Sequence, residues 1–180
     1  KAEQGLEVII NERTSEYIIA GTGELHVEVA LNAFRELLGN EISITVGDPI
    51  VEFRETVTEP SAFTTLGKSG NKHNRIYITA EPLDEAVVSF LETHEVATDP
   101  KSRASALQKA GLNPNDAKKA WTVEGTNILV DRSKAVPYLP EIRDSVEVAF
   151  RQLVEASALS GETLTGVQIN VMDAKVHSDA

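Results

Sequence analysis

Apolar and polar positions along this chain alternate with two different periods, and the changes of period mark its elements. Leu6 to Ile10 is a short apolar run of β type. Asn11-Glu12-Arg13-Thr14-Ser15 is turn material and Tyr17 to Ala20 is a second β run, so the two predict a hairpin. Gly21-Thr22-Gly23 breaks the chain. From Glu24 to Leu38 the spacing becomes helical: Leu25, Val29, Phe34, Leu37 and Leu38 approximate one apolar face, with Leu31 near its edge. Thr22 is the expected N-cap, Glu24 suits the first turn, and Gly39-Asn40 is a good stop. Ile42 to Val46 alternates as a strand does, Gly47-Asp48-Pro49 turns, and Ile50 to Val57 continues extended. The block reads β-β-α-β, most of a split βαβ sandwich without its first strand and helix, as if cut from something longer.

Glu59-Pro60-Ser61 is the expected linker to a second block. Phe63 to Leu66 and Ile76 to Ala80 predict a long hairpin with its tip near Gly70-Asn71. Pro82 to Glu95 leads into a helix with Val87, Val88 and Leu91 on one side. Asp99-Pro100 starts another, with Asp99 as N-cap, and Asn113-Pro114 starts a third that runs to Trp121. Asn127 to Val130 is a strand. Pro140 to Leu159 is the longest helix, striped by Ile142, Val146, Phe150 and Leu153 and stopped by Gly161. Thr165 to Val176 alternates as a final strand, with Val167, Ile169 and Val171 on one face. Trp121 is expected to anchor the second core. No internal repeat or low-complexity tract interrupts the pattern.

A chain of 180 residues has room for one large domain or two small ones. The absence of cysteine excludes disulfides, thiolate nucleophiles and Cys-ligated metal sites, and it suits a reducing cytosol. No apolar run approaches the ~20 residues needed to span a bilayer. The net charge of −11 makes the chain as a whole a poor binder of nucleic-acid phosphates. That charge is uneven, however. Residues 1–57 carry −7, and residues 81–127 and 128–180 carry −3 each, whereas residues 58–80 carry +2. Lys68, Lys72, His73 and Arg75 form a window with no acid in it. Screening confines distant repulsion to about 8 Å, so such a loop can still meet phosphate.

Most motifs with chemical content fail on their context. Ala62 to Ser69 ends in Gly67-Lys68-Ser69 at phosphate-loop spacing, but Phe63-Thr64-Thr65-Leu66 favours a strand and the residues after Ser69 do not start a helix. A stand-alone nucleotide-binding enzyme built on that segment is the rival reading. Gly21-Thr22-Gly23-Glu24-Leu25-His26 begins like a dinucleotide fingerprint, but His26 stands where the third glycine belongs. His26, His73, His94 and His177 are too irregularly spaced to announce a metal site. The residues themselves nominate no catalytic, cofactor-binding or metal-ligating group.

Several ordered segments resemble one family. Gly21-Thr22-Gly23-Glu24-Leu25-His26-Val27-Glu28 is similar to a Gly-x-Gly-Glu-Leu-His-Leu-Glu segment of the translocation GTPases of translation. Asp48 to Val57 looks like the strand that closes their third domain. Lys68-Ser69-Gly70-Asn71-Lys72-His73-Asn74-Arg75, followed by Ala80-Glu81-Pro82-Leu83, resembles the start of their fourth domain, and its Asn-Lys-His-Asn-Arg core points to the archaeal and eukaryotic type. Asn127 to Asp131, Glu141 to Val146 and Val176 to Ala180 extend the resemblance to the last residue.

This resemblance implies an α+β fold. A partial ferredoxin-like split βαβ domain over residues 1–58 would be followed by a ribosomal protein S5 domain 2-like α/β sandwich over 59–180. It implies a segment of a larger factor whose GTP- and magnesium-binding domain lies elsewhere, so that this segment carries no cofactor. The fourth domain would continue past Ala180 into a His-Arg-Gly-Gly loop bearing the diphthamide histidine, with which His177 should not be confused. Where the family often has proline, this chain has Gly70, which loosens the loop. The implied partner is the ribosome, at the small-subunit decoding centre with its tRNA and mRNA, in the cytoplasm. No membrane is involved, and the segment is expected to be a monomer. The implied contact residues are Lys68, Ser69, Asn71, Lys72, His73, Asn74 and Arg75. A splicing GTPase and a ribosome-assembly GTPase share this domain plan, and the His73-Asn74-Arg75 tip favours the elongation factor.

Overall fold

The computed structural model describes residues 5–11, 16–39 and 42–177. The expected turn at 12–15, Asn40 of the helix stop and Ser178 to Ala180 lie outside them. Backbone contacts divide the chain into two compact units, Lys1–Glu52 and Phe53–Ala180.

In the first unit β1 (Glu7–Asn11) and β2 (Glu16–Ala20) pair antiparallel, with Val8 opposite Ile19 and Ile10 opposite Tyr17. Helix α1 spans Glu24–Leu38, as its period requires. The cap differs from expectation. Gly23 occupies the N-cap, and the Thr22 hydroxyl meets His26 Nδ1 at 3.1 Å instead. With the first helical residue at Glu24, Thr22 stands one position too early to serve the free N–H groups of the first turn. At the other end Gly39 takes φ 63°, which glycine adopts at little cost, and its N–H donates to Arg35 O at 3.2 Å. Leu25, Val29, Phe34 and Leu37 stand exposed, because one hairpin and one helix cannot enclose a core. The strand expected at Ile42–Val46 is not formed; in the stretch expected to continue extended, Ile50–Val57, a strand forms at β3 (Arg54–Glu55), which already belongs to the second unit. Alternation favours an extended backbone, but a strand exists only where a partner edge meets it.

The second unit is built on a five-stranded mixed sheet of order β4-β5-β9-β7-β6. Its strands are β4 (Thr65–Lys68), β5 (Arg75–Pro82), β6 (Ala120–Glu124), β7 (Asn127–Asp131) and β9 (Val167–Lys175). Of the neighbouring pairs in this sheet, β7 and β9 run parallel and the others antiparallel, and the crossover between β7 and β9 carries α5 (Leu139–Glu155). Helices α2 (Glu85–Thr93), α3 (Pro100–Lys109) and α4 (Pro114–Lys119) complete the unit. The Asp99 carboxylate caps α3 as expected, accepting from Ser102 N at 3.0 Å. Strand pleating sends neighbouring residues to opposite cores. Ile128 and Val130 pack with Val87, Leu91, Leu107 and Ala117, whereas Leu129 joins Trp121, Phe150, Val154 and Val171.

Two element ends depart from the sequence pattern. The third helix stops at Lys119, and Ala120–Glu124 is strand β6. Register slips between Ala120 and Thr122, so Trp121 is the extra residue of a bulge. Its ring lies in the α5-side core while Ala120 lies in the other, as pleating sends consecutive residues. Helix α5 ends at Glu155, well before Gly161. There the Ser157 hydroxyl donates to the Glu55 carboxylate, as do Ser160 N at 2.9 Å and Ser160 Oγ at 2.6 Å. This tertiary contact overrides continuation of the helix. β3 also pairs with β8 (Thr163–Leu164), which fixes Phe53 onward to the second unit.

The hydroxyls of Ser157 and Ser160 hold the Glu55 carboxyl down to about 2 from an ordinary 4.5. A depressed native pKa means that this attachment is fully present above the ordinary value and is lost as pH falls toward the native one. We therefore expect the Ser160 and Thr165 amides, bonded to the Glu55 carboxylate and carbonyl, to lose hydrogen-exchange protection between about pH 4.5 and about pH 2. Glu55→Gln should abolish that pH dependence; unchanged protection across the range in the native chain would refute the attachment.

Candidate nucleic-acid interface

The β4–β5 hairpin closes with Lys68 opposite Arg75 and turns through residues 69–74. Ser69 N donates to Asn74 O at 3.0 Å and Lys72 N donates to Ser69 O at 2.8 Å. The Ser69 hydroxyl donates to Asn71 Oδ1 at 2.6 Å and accepts from Asn74 N at 3.1 Å. His73 N donates to the same Asn71 oxygen at 3.1 Å. Small polar side chains thus take over backbone pairing that the turn cannot supply. They leave Lys72 at φ 62°, a left-handed conformation uncommon for a residue with a long side chain.

The structure places the seven sequence-predicted contact residues on one hairpin end and separates their roles. Ser69 is internal to the turn, and Asn71 and Asn74 spend their carbonyl oxygens on loop shape. His177 N donates to Asn74 Oδ1 at 2.9 Å. Lys68, Lys72, His73 and Arg75 are exposed. Among the described residues, none of Lys68, Lys72 and Arg75 enters an ion pair. Like charges directly opposite on a ladder are destabilising, so the Lys68–Arg75 pair carries a local cost, as does the backbone of Lys72.

Sequence reasoning missed His177, whose ring lies 5.3 Å from that of His73 between centroids. Antiparallel pairing of β9 with β5 brings it there, and no local signal could announce a partner so distant along the chain. Behind the hairpin, Arg132 Nη2 donates to Glu81 Oε1 at 2.7 Å and to Asp116 Oδ2 at 2.8 Å. Gln168 and Asn170 also donate to that Glu81 oxygen, at 2.9 and 3.1 Å. The hydrogen bond from Arg132 holds the Asp116 carboxyl below its usual range, and Asp116 raises the Arg132 guanidinium in turn. This network ties β5, and with it the hairpin, to β9 and α4.

Lys68 ends a strand and Ser69 opens a turn back into β5, so no helix N-terminus follows the lysine. The Ala62–Ser69 segment therefore does not form a phosphate loop, and the residues present do not fit GTP. Among the described residues, no group of three or more His, Cys, Asp or Glu could hold a metal ion, and no helix is long and apolar enough to cross a membrane.

Mixed helices and sheets, with one parallel crossover in an otherwise antiparallel sheet, define an α+β protein of the ribosomal protein S5 domain 2-like type. A family model described as elongation factor G, domain IV, matches residues 86–180, more than half of the chain, and the chain belongs to that family. It is 40% identical over 98% of its length to elongation factor 2 of Aeropyrum pernix, and 35% identical over 98% to that of Ignicoccus hospitalis. Elongation factor 2 of Pyrobaculum calidifontis is 38% identical over 97% of the chain. The chain spans 24% of the length of each of these relatives.

Proposed function

We propose that this chain is a segment of a translation elongation factor that promotes GTP-dependent translocation of tRNA and mRNA on the ribosome. Residues 59–180 correspond to the domain IV arm, and residues 1–58 to a domain III that relays between the arm and a GTPase centre located elsewhere in the factor. GTP and magnesium belong to that centre, and this segment has no catalytic role of its own. The segment acts as a monomer in the cytoplasm. Lys68, Ser69, Asn71, Lys72, His73, Asn74 and Arg75 form the tip that meets the small-subunit decoding centre. Lys72 and Arg75 contact phosphate, and His73 and the Asn71 amide donate to ribose hydroxyls or base edges. Recognition of this kind reads phosphates, shape and 2′-hydroxyls more than sequence. The acidic remainder of the chain disfavours adhesion to RNA elsewhere.

One observation carries this reading: an acidic chain maintains, at one hairpin end, an unpaired like-charge pair and a left-handed lysine, both locally unfavourable. The test is equilibrium binding of the 180-residue chain to purified small ribosomal subunits as salt is varied. Each phosphate contact should contribute about 0.7–0.9 to the slope of log K against log salt. Absence of binding at low salt, or binding without salt dependence, would overturn the reading.

A further inference from the structure

The cations at the tip are not confined to the hairpin. Lys68 lies opposite Arg75 across β4 and β5, and Arg75 lies opposite Lys175 across β5 and β9. Residues directly opposite on a ladder point to the same face, with Cβ atoms about 4.5–5.5 Å apart. The next pair inward, Ile76 with Ala174, belongs to the α5-side core, so the three cations project from the other face of the sheet. Lys68, Arg75 and Lys175 therefore form a row across three neighbouring strands, about 10 Å from end to end at strand spacing. All three are exposed, and among the described residues none enters an ion pair. Asp173 shares that face but stands one pair further in, opposite Tyr77.

Three aligned cations repel one another, and among the described residues no ion pair offsets that repulsion. An external polyanion relieves it. The row is also held in shape, because the His177 N–H donates to Asn74 Oδ1 just past Lys175, fastening the end of β9 to the loop.

We infer that the end of β9 is the third strand of the RNA-binding surface, with Lys175 contacting the sugar–phosphate backbone alongside Lys68 and Arg75. This rests on the ribosomal reading above and extends its contact surface to a residue about a hundred positions away in sequence. The test compares Lys175→Gln, Lys68→Gln and Arg75→Gln, with Lys109→Gln on α3 as control, in binding to small ribosomal subunits over a range of salt. Lys175→Gln should weaken binding about threefold to tenfold and lower the salt slope by about 0.7–0.9, as each of the other two does. Lys109→Gln should change neither. If Lys68→Gln and Arg75→Gln lower the slope and Lys175→Gln does not, this inference fails and the ribosomal reading stands. Weaker binding of Lys175→Gln at an unchanged slope would also overturn it, since that is the mark of a structural effect. If none of the three lowers the slope, the ribosomal reading itself fails.

Discussion

Leu107→Ala is expected to destabilise the second unit by about 3–5 kcal/mol, at the upper end of what truncating a buried leucine costs. Helix α3 reads Pro-Lys-Ser-Arg-Ala-Ser-Ala-Leu-Gln-Lys, and Leu107 is its one large aliphatic side chain. It is fully buried, at 0% exposure, against Val87, Leu91, Ile128 and Val130. With so few apolar groups on the helix, no neighbour on α3 can move in to fill the space, so most of the cavity stays open. The transfer and cavity terms then add. Set against a total stability of about 5–15 kcal/mol, the loss should lower the thermal midpoint by about 10 °C or more. Leu107→Met, which keeps the volume, should cost less than about 1.5 kcal/mol. Calorimetry or denaturant titration measures both; a loss under about 1 kcal/mol for the alanine variant would mean that α3 is not docked through Leu107.

The same helix shows what a sequence can disclose. Asp99 and Pro100 announce its start because capping is decided within one turn of chain. The hairpin tip was legible for the same reason: Gly70, Asn71 and Asn74 sit between two β-type runs, and the turn closes with bonds among Ser69, Asn71, His73 and Asn74. Elements whose limits depend on distant partners were not legible. The helix that starts at Asn113-Pro114 is expected to run to Trp121, and only pairing with β7 makes Ala120–Glu124 a strand. Glu55 stops α5 from across the unit. Ile42 to Val46 alternates as a strand does but finds no ladder among the described residues. Lys175 and His177 illustrate the limit most directly. Nothing near them in sequence marks them as neighbours of Arg75 and Asn74, and only the antiparallel register of β5 with β9 brings them together. Local chemistry is written locally, whereas a surface shared by several strands is written only in the sheet.

The double reversal Lys72→Glu/Arg75→Glu is expected to weaken binding to small ribosomal subunits about a hundredfold at low salt and to lower the salt slope by about 1.4–1.8. Two contacts are lost and two repulsions take their place, although screening beyond about 8 Å limits the repulsion at physiological salt. Folding should respond in the opposite sense. Arg75 lies opposite both Lys68 and Lys175, so a glutamate there turns two unfavourable cross-strand pairs into favourable ones. Each such pair is worth about 0.2–1 kcal/mol, so the thermal midpoint should hold or rise slightly. This combination, lost binding with undiminished stability, separates a functional charge from a structural one. A control reversal of Lys118 and Lys119 on α4 should leave subunit binding within about twofold of the native chain, since a distant exposed charge is screened. Should the tip reversal bind as the native chain does, the cations would have no RNA to meet. Should it lower both binding and stability, the tip charges would be serving the fold, and the unfavourable pairing at the end of the sheet would need another cause.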